Sequence, residues 1–333
     1  MTGLDLRIGV FDYDRTRALL DGSVKIDGVN AHFEGAGLVS EIFERMVRDR
    51  AFDVAELGMT FFLRTLGMPD SPFIALPIFP NRNFRHSAIF VNTDSGIKHP
   101  TDLIGKTVGE FATYGHDAGL WPKGVLSDDY GVTPDQCRWV VGGADWPMEP
   151  FDFVPFVYPP DVEVVRAPAG KALGPMLEAG EIDAMISALV PRCVREGSPK
   201  VARLFPDYET VEREYYDRTR MYPIMHTVVM RKELVAEHPG LARAVYEGFL
   251  EAKDSAAERH RHALLEQHMN VMIPWFSSLY ERNQRQMPHD WFPYGVGANR
   301  HTIDTFLRYF HEQGFSEHRL TCEDIFVPEL LDT

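Results

Sequence analysis

Apolar and polar positions alternate along the first third of the chain in two different periods. Leu6 to Phe11, Val29 to Phe33 and Asp53 to Leu57 are short apolar runs of strand length, while Val39 to Val47 and Thr60 to Leu66 repeat their apolar positions every three to four residues, as helices do. Strand and helix in alternation predict βαβ crossovers and an open, largely parallel sheet. The pattern restarts after Asn92: a helical turn at Pro100 to Leu103, a strand at Lys106 to Gly109, a helix at Gly119 to Tyr130, strands at Arg138 to Val141 and Val162 to Arg166, a helix near Gly174 to Glu178, and a strand at Ile182 to Ser187. Pro223 to Met230 reads as a strand leaving this second series. A long amphipathic helix follows from Leu241 to about Gln267, with Leu241, Val245 and Phe249 on one stripe.

These pieces predict an α/β chain of two lobes, each an open mixed sheet with flanking helices. Residues 1–90 with 226–333 would form the first lobe and 91–225 the second, joined by crossing strands at His86 to Asn92 and Pro223 to Met230. A ligand cleft is expected between the lobes, where pockets commonly form. In sheets of this kind ligands sit beyond the carboxyl ends of the strands. That directs attention to Asp12–Arg15, Glu56–Thr60 and Pro80–His86. Pro147 to Pro160, rich in proline and phenylalanine, reads as an ordered excursion at the cleft mouth or a contact between copies.

Composition narrows the classes. With 333 residues and 44% hydrophobic content the chain can bury a large core. Its net charge of −15 argues against a nucleic-acid partner and requires any anionic ligand to be met by local arginines working against the global field. Three dispersed cysteines, Cys137, Cys193 and Cys322, form no CxxC pair, which fits reduced thiols in a cytoplasmic protein. Met1 to Val10 reads as a first strand, since Asp5 and Arg7 interrupt any secretion-signal pattern. No apolar run reaches the roughly 18 residues of a membrane span. GxSxG, P-loop and dinucleotide fingerprints do not occur.

Five segments carry a likeness to a known family. They are Leu76–Ser87 (LPIFPNRNFRHS), Gly105–Gly109 (GKTVG), Gly180–Ala184 (GEIDA), Leu204–Tyr208 (LFPDY), and Pro223–Val229 (PIMHTVV) with Asn299–Arg300 downstream. In order and spacing the chain resembles the 4,5-dihydroxyphthalate decarboxylase family, relatives of type II periplasmic binding proteins. One departure is Pro122, where the family pattern has a plain helical residue. If the helix begins near Gly119, the proline falls in its first turn and loses no hydrogen bond; an earlier start puts it in the interior.

The resemblance implies removal of a carboxyl group from a hydroxylated aromatic diacid in phthalate catabolism. In 4,5-dihydroxyphthalate each carboxyl is para to a hydroxyl. Deprotonating that hydroxyl moves charge to the carbon bearing the carboxylate, which takes up a proton as CO2 leaves. A site for this needs a cationic clamp, a base, an acid and an apolar wall. The phenol is the electron source, so the chemistry demands no metal or organic cofactor. Arg82 and Arg85 can clamp a carboxylate or form structural ion pairs. His86 and His226 are proton-transfer candidates or satisfied core histidines. Glu56 is a base for the hydroxyl or a helix cap. Tyr13 and Arg15 occupy the first strand-end loop, Tyr114 and His116 a helix start that favours an anion, and Arg192 closes from the second lobe or lies on its surface.

Weaker signals complete the reading. Glu56, His86, His116, Asp117 and His226 could gather round a divalent ion, although no HxxE or HxH spacing specifies one. His260, His262 and His268 are expected on a solvated helix face. A transport receptor for an aromatic acid, a ligand sensor, or a biosynthetic relative in the pyrimidine-forming branch of the fold are the competing readings, because one fold serves many functions. A small aromatic carboxylate is the expected partner, with no nucleic acid and no membrane; a homo-oligomer stays open.

Overall fold

The computed structural model describes residues 3–68, 70–156, 158–288 and 290–333. These cluster into two compact units. The first comprises residues 3–82, 226–301 and 322–333, the second 83–225 and 302–321, apart from the undescribed positions. The division assigns 83–90 and 302–321 to the second unit, and the chain passes between units four times where two crossing strands were expected. The third passage falls inside one helix, Arg300–Glu312.

In the first unit β1 (Leu4–Gly9), β2 (Val29–Glu34), β3 (Val54–Gly58), β4 (Phe73–Leu76) and the late strand β11 (His226–Arg231) form a sheet in the order β2-β1-β3-β11-β4. β2, β1 and β3 are parallel, whereas β11 runs antiparallel to both β3 and β4. β3 is buried along its whole length. The stripe Ile42, Phe43, Met46 and Val47 of the helix Val39–Asp49 is buried too, as its periodicity predicts.

The second unit holds β5 (Ile89–Asn92), β6 (Thr107–Phe111), β7 (Arg138–Gly142), β8 (Glu163–Arg166), β9 (Ala184–Ile186) and β10 (Val201–Arg203), in the order β10-β5-β9-β6-β7-β8. Two separate hydrophobic clusters follow the strand period of two. Ile89, Val91, Trp139, Val141, Ala184 and Ile186 belong to one, and Phe90, Val140 and Met185 between them belong to the other. Both faces of the sheet are therefore covered, as in α/β folds.

Two expectations need correction here. His86 does not begin a crossing strand: His86–Ala88 is a turn of 3-10 helix, and β5 starts at Ile89 within the second unit's sheet. The helix expected from Gly119 begins at Asp117, so Pro122 stands in its interior and leaves the Ala118 carbonyl without its intrahelical donor. The excursion at 147–160 contains no helix or strand among its described residues; Val157 lies outside them.

Candidate active site

β3 and β11 bring the first pair of functional groups together by register alone. Glu56 is opposite Val228, and His226 is two residues from Val228, so both side chains project from the same face as diagonal neighbours. His226 Nδ1 lies 2.6 Å from Glu56 Oε1. The loop after β1 folds over this pair: the Tyr13 hydroxyl donates to Glu56 Oε1 at 2.8 Å and the Phe11 amide to Oε2 at 3.2 Å. Glu56 is fully buried. A carboxylate engaged by Nδ1 fixes the imidazole with its proton on that nitrogen and its lone pair on Nε2. The Asn81 amide stands 3.5 Å from Nε2, and the Phe43 ring packs edge-on against the imidazole at 5.1 Å. Burial, with the neighbouring Glu56 charge, raises the Tyr13 hydroxyl far above the ordinary phenol range, so Tyr13 remains a donor.

Arg15 flanks this group. Its Nε donates to the Pro80 carbonyl, its Nη1 is paired with Asp14 at 3.0 Å, and its guanidinium lies 4.1 Å from the Tyr13 ring centre and 4.6 Å from that of Phe292. No bond is made by Nη2 among the described residues, which leaves a cationic edge for a carboxylate. A cavity of about 160 Å³ opens beside it, lined in part by Arg15, Lys253, His260, Tyr280 and Phe292.

Arg82, expected as a clamp, is a structural tie. It is buried, donates to the Pro293 carbonyl at 2.6 Å and to Asn299 Oδ1 at 2.5 Å, and so fastens the 293–299 segment to the strand end. Glu56 also departs from the role of substrate base, because its oxygens are occupied by Phe11, Tyr13 and His226 and it has no exposed surface.

The second unit has its own constellation. Arg85 is buried, makes no ion pair among the described residues, and donates from Nε to Met225 Sδ at 3.2 Å. Burial pushes its guanidinium down to about 10, against the pull of Asp117, Tyr222 and Glu212. A cavity of about 150 Å³ beside it is lined by Phe84, Ser187, Arg203 and Tyr208 among others. An unpaired buried cation is costly, and an anionic ligand would offset that cost.

His116 precedes the helix Asp117–Tyr130, with Nδ1 3.2 Å from Glu110 Oε1 and a buried Nε2 that has no hydrogen-bond partner among the described residues. Glu110 also accepts from Lys123 Nζ at 2.6 Å and from the Gly115 amide at 2.8 Å. Sequence reasoning missed Glu110 and Lys123. The one signal was Gly119, where a Cβ would lie 1.8 Å from Glu110 Oε1; the helix omits a side chain so that a carboxylate can enter.

His86 and Tyr114 are core residues. His86 packs against Phe205 and Tyr215 at 5.3 and 5.2 Å, and burial pushes its imidazole down to about 4, so it is neutral at physiological pH. Tyr114 has no exposed surface and lies among Trp139, Phe315 and Lys123. Arg192 opens a four-residue helix, its amide held by Asp145 at 2.9 Å. His268, expected on a solvated helix face, is buried and bonded to Ser277 at 2.7 Å, because the long helix ends at Leu265. Glu56 and His226 belong to the first unit, and His86, His116 and Asp117 to the second. Among the described residues no three His, Cys, Asp or Glu side chains are grouped to hold a metal.

Comparison with known proteins decides the family. Over its full 333 residues the chain is 36% identical to the 4,5-dihydroxyphthalate decarboxylase of Comamonas testosteroni, covering 99% of that protein. The chain belongs to the 4,5-dihydroxyphthalate decarboxylase family. A second family member, from Pseudomonas putida, is 36% identical over 216 residues, 65% of this chain and 83% of its own length. No family model matches. Solved structures identify the fold that this decarboxylase family member shares. The periplasmic aliphatic sulfonate-binding protein SsuA of Escherichia coli aligns over 99% of both chains with a TM-score of 0.54 at 13% identity. The corresponding sulfonate-binding protein of Methylobacillus flagellatus aligns over 99% of this chain and 93% of its own, with a TM-score of 0.53 at 15% identity. The fold is thus the two-lobed α/β fold of periplasmic binding proteins. No helix among the described residues is long and apolar enough to cross a membrane.

Proposed function

We propose that the chain is a carboxy-lyase that converts 4,5-dihydroxyphthalate to 3,4-dihydroxybenzoate and CO2 in phthalate catabolism. The end-to-end identity with the Comamonas testosteroni enzyme carries this reading. The reaction balances without a redox step: the diacid loses CO2, and the ring carbon that held the carboxylate gains a proton.

The first unit supplies groups suited to that sequence. His226 Nε2 accepts the proton of the hydroxyl para to the departing carboxylate, with Glu56 orienting the ring and stabilising the imidazolium that forms. Negative charge then develops on the ring carbon, which takes up a proton from solvent as the C–C bond breaks, and the His226 imidazolium returns its proton to the phenolate oxygen. The Arg15 guanidinium, anchored on Pro80 and stacked on Tyr13, holds a carboxylate. Tyr13 restrains Glu56 from the opposite side. In the second unit, Arg85 and His116 have the character of anion-binding groups; Arg192 is a further substrate contact in this reading. Substrate is a small aromatic carboxylate, and nucleic acid and membrane have no part in it. We place the protein in the cytoplasm; its three cysteines are free and buried, which fits a reducing compartment.

Incubation of the purified chain with 4,5-dihydroxyphthalate, with and without chelator, tests the reading. Equimolar CO2 and 3,4-dihydroxybenzoate are expected. Saturable binding of the diacid with no product would make the protein a binder and contradict the proposal.

A further inference from the structure

The polar face of the first unit is interrupted by a run of large apolar side chains in solvent. Leu265, Met269, Met272, Ile273, Trp275 and Leu279 come from the end of the helix Leu241–Leu265, the segment after it, and the helix Phe276–Gln286. Met272 is 101% exposed, Trp275 84%, and Leu265 and Met269 80% each. Trp275 also adopts a left-handed backbone conformation, φ 60°, which a bulky residue takes only at a cost, and there it presents its indole outward. All six side chains fall between Leu265 and Leu279, so the apolar surface they expose is concentrated in one segment of the unit and is not scattered singly.

We propose that this surface, residues 265–279, is where two copies of the chain associate. Charge favours a second copy as occupant. The chain as a whole carries −15, so copies repel one another over most of their surface, yet Gln267 to Tyr280 contains no Asp, Glu, Lys or Arg. In its flanks Arg259, Arg261, Arg282 and Arg285 stand against Glu258, Glu266 and Glu281. Copies that meet here meet at the neutral zone of an acidic molecule. A lipid surface would call for a decidedly basic flank, which four arginines against three glutamates do not provide. A two-fold contact sets the same apolar residues against themselves, with Trp275 and Met272 as the anchors that aromatic and methionine side chains usually supply.

Sedimentation velocity on the full chain from about 1 to about 100 µM tests this. A dimer or a larger even-numbered assembly is expected. Met272→Glu with Trp275→Ser, both strongly exposed and so neutral to the fold by circular dichroism, should raise the dissociation constant at least about 100-fold. Val165→Glu, at an exposed apolar site of the second unit, should leave it unchanged. Met272→Cys should cross-link copies under mild oxidation. A wild-type chain that stays monomeric at the highest concentration overturns the proposal, as do patch variants that assemble like wild type. A monomer that co-sediments with phosphatidylglycerol vesicles through these residues would give the surface to a lipid and overturn it as well.

Discussion

Each unit buries a glutamate against Nδ1 of a histidine, and the company each pair keeps separates chemistry from architecture. In the second unit Glu110 has a counter-ion of its own. Lys123, 1% exposed, reaches it at 2.6 Å, while the Gly115 amide and His116 complete the set. Burial alone would raise the Glu110 carboxyl, but Lys123 and His116 outweigh it and hold the group below its ordinary value. In the first unit no lysine or arginine is bonded to Glu56 among the described residues; its partners are a backbone amide, a phenol and His226. Glu110 is neutralised by Lys123 before its histidine is considered. Glu56 depends on its histidine for any positive charge, as a base that must become an imidazolium during turnover requires.

Substitutions can break this contrast. The largest effect is expected at His226→Ala, which should lower kcat by about 10³-fold with circular dichroism unchanged, the size of a general-base loss. Turnover within a few-fold of wild type would remove His226 from the chemistry.

Lys123→Met should act on the other side of the comparison. It strands a fully buried carboxylate and should cost about 3 kcal/mol in denaturant unfolding. Refolded protein should keep most of its activity per folded molecule. A stable Lys123→Met protein would show that Glu110 does not need its ammonium.

His86→Leu sharpens the distinction between core and chemical histidines. The folded-state value of His86, about 4, lies below the ordinary 6.5, so the unfolded chain binds the proton first as pH falls. The stability His86 confers is complete above about pH 6.5 and is lost progressively down to about pH 4, by at most about 3 kcal/mol. The leucine variant should lack that part of the acid sensitivity, read from urea midpoints between pH 7 and pH 4, and should keep turnover. An unchanged pH slope would mean His86 is not held neutral by burial.

The strands that build the site were legible because both signals were strong. Glu56 and His226 occupy otherwise apolar runs of strand length, where a polar residue is conspicuous. Two short edge strands, β4 and β10, of four and three residues, were not read, although β8, an edge strand of four residues, was. His86 was misplaced because three residues of 3-10 helix leading into β5 read as continuous strand. Lys123 escaped because a lysine in a helix normally lies in water, and only the gap at Gly119 lets a carboxylate from β6 approach that helix. Arg82 and Arg85, three residues apart, could not be told apart by type, since tertiary partners alone make one a tie and leave the other without an ion pair among the described residues.

The nitrogen assigned to proton transfer can be observed directly. ¹⁵N NMR of the histidine rings, with His226 identified by its loss in His226→Ala, reports which ring nitrogen carries the proton in the neutral form. The geometry predicts a proton on Nδ1 toward Glu56 and a bare Nε2, with that preference relaxed in Glu56→Gln. A neutral His226 protonated on Nε2 in the wild-type protein would contradict it, because the atom assigned to take the substrate's proton would already hold one.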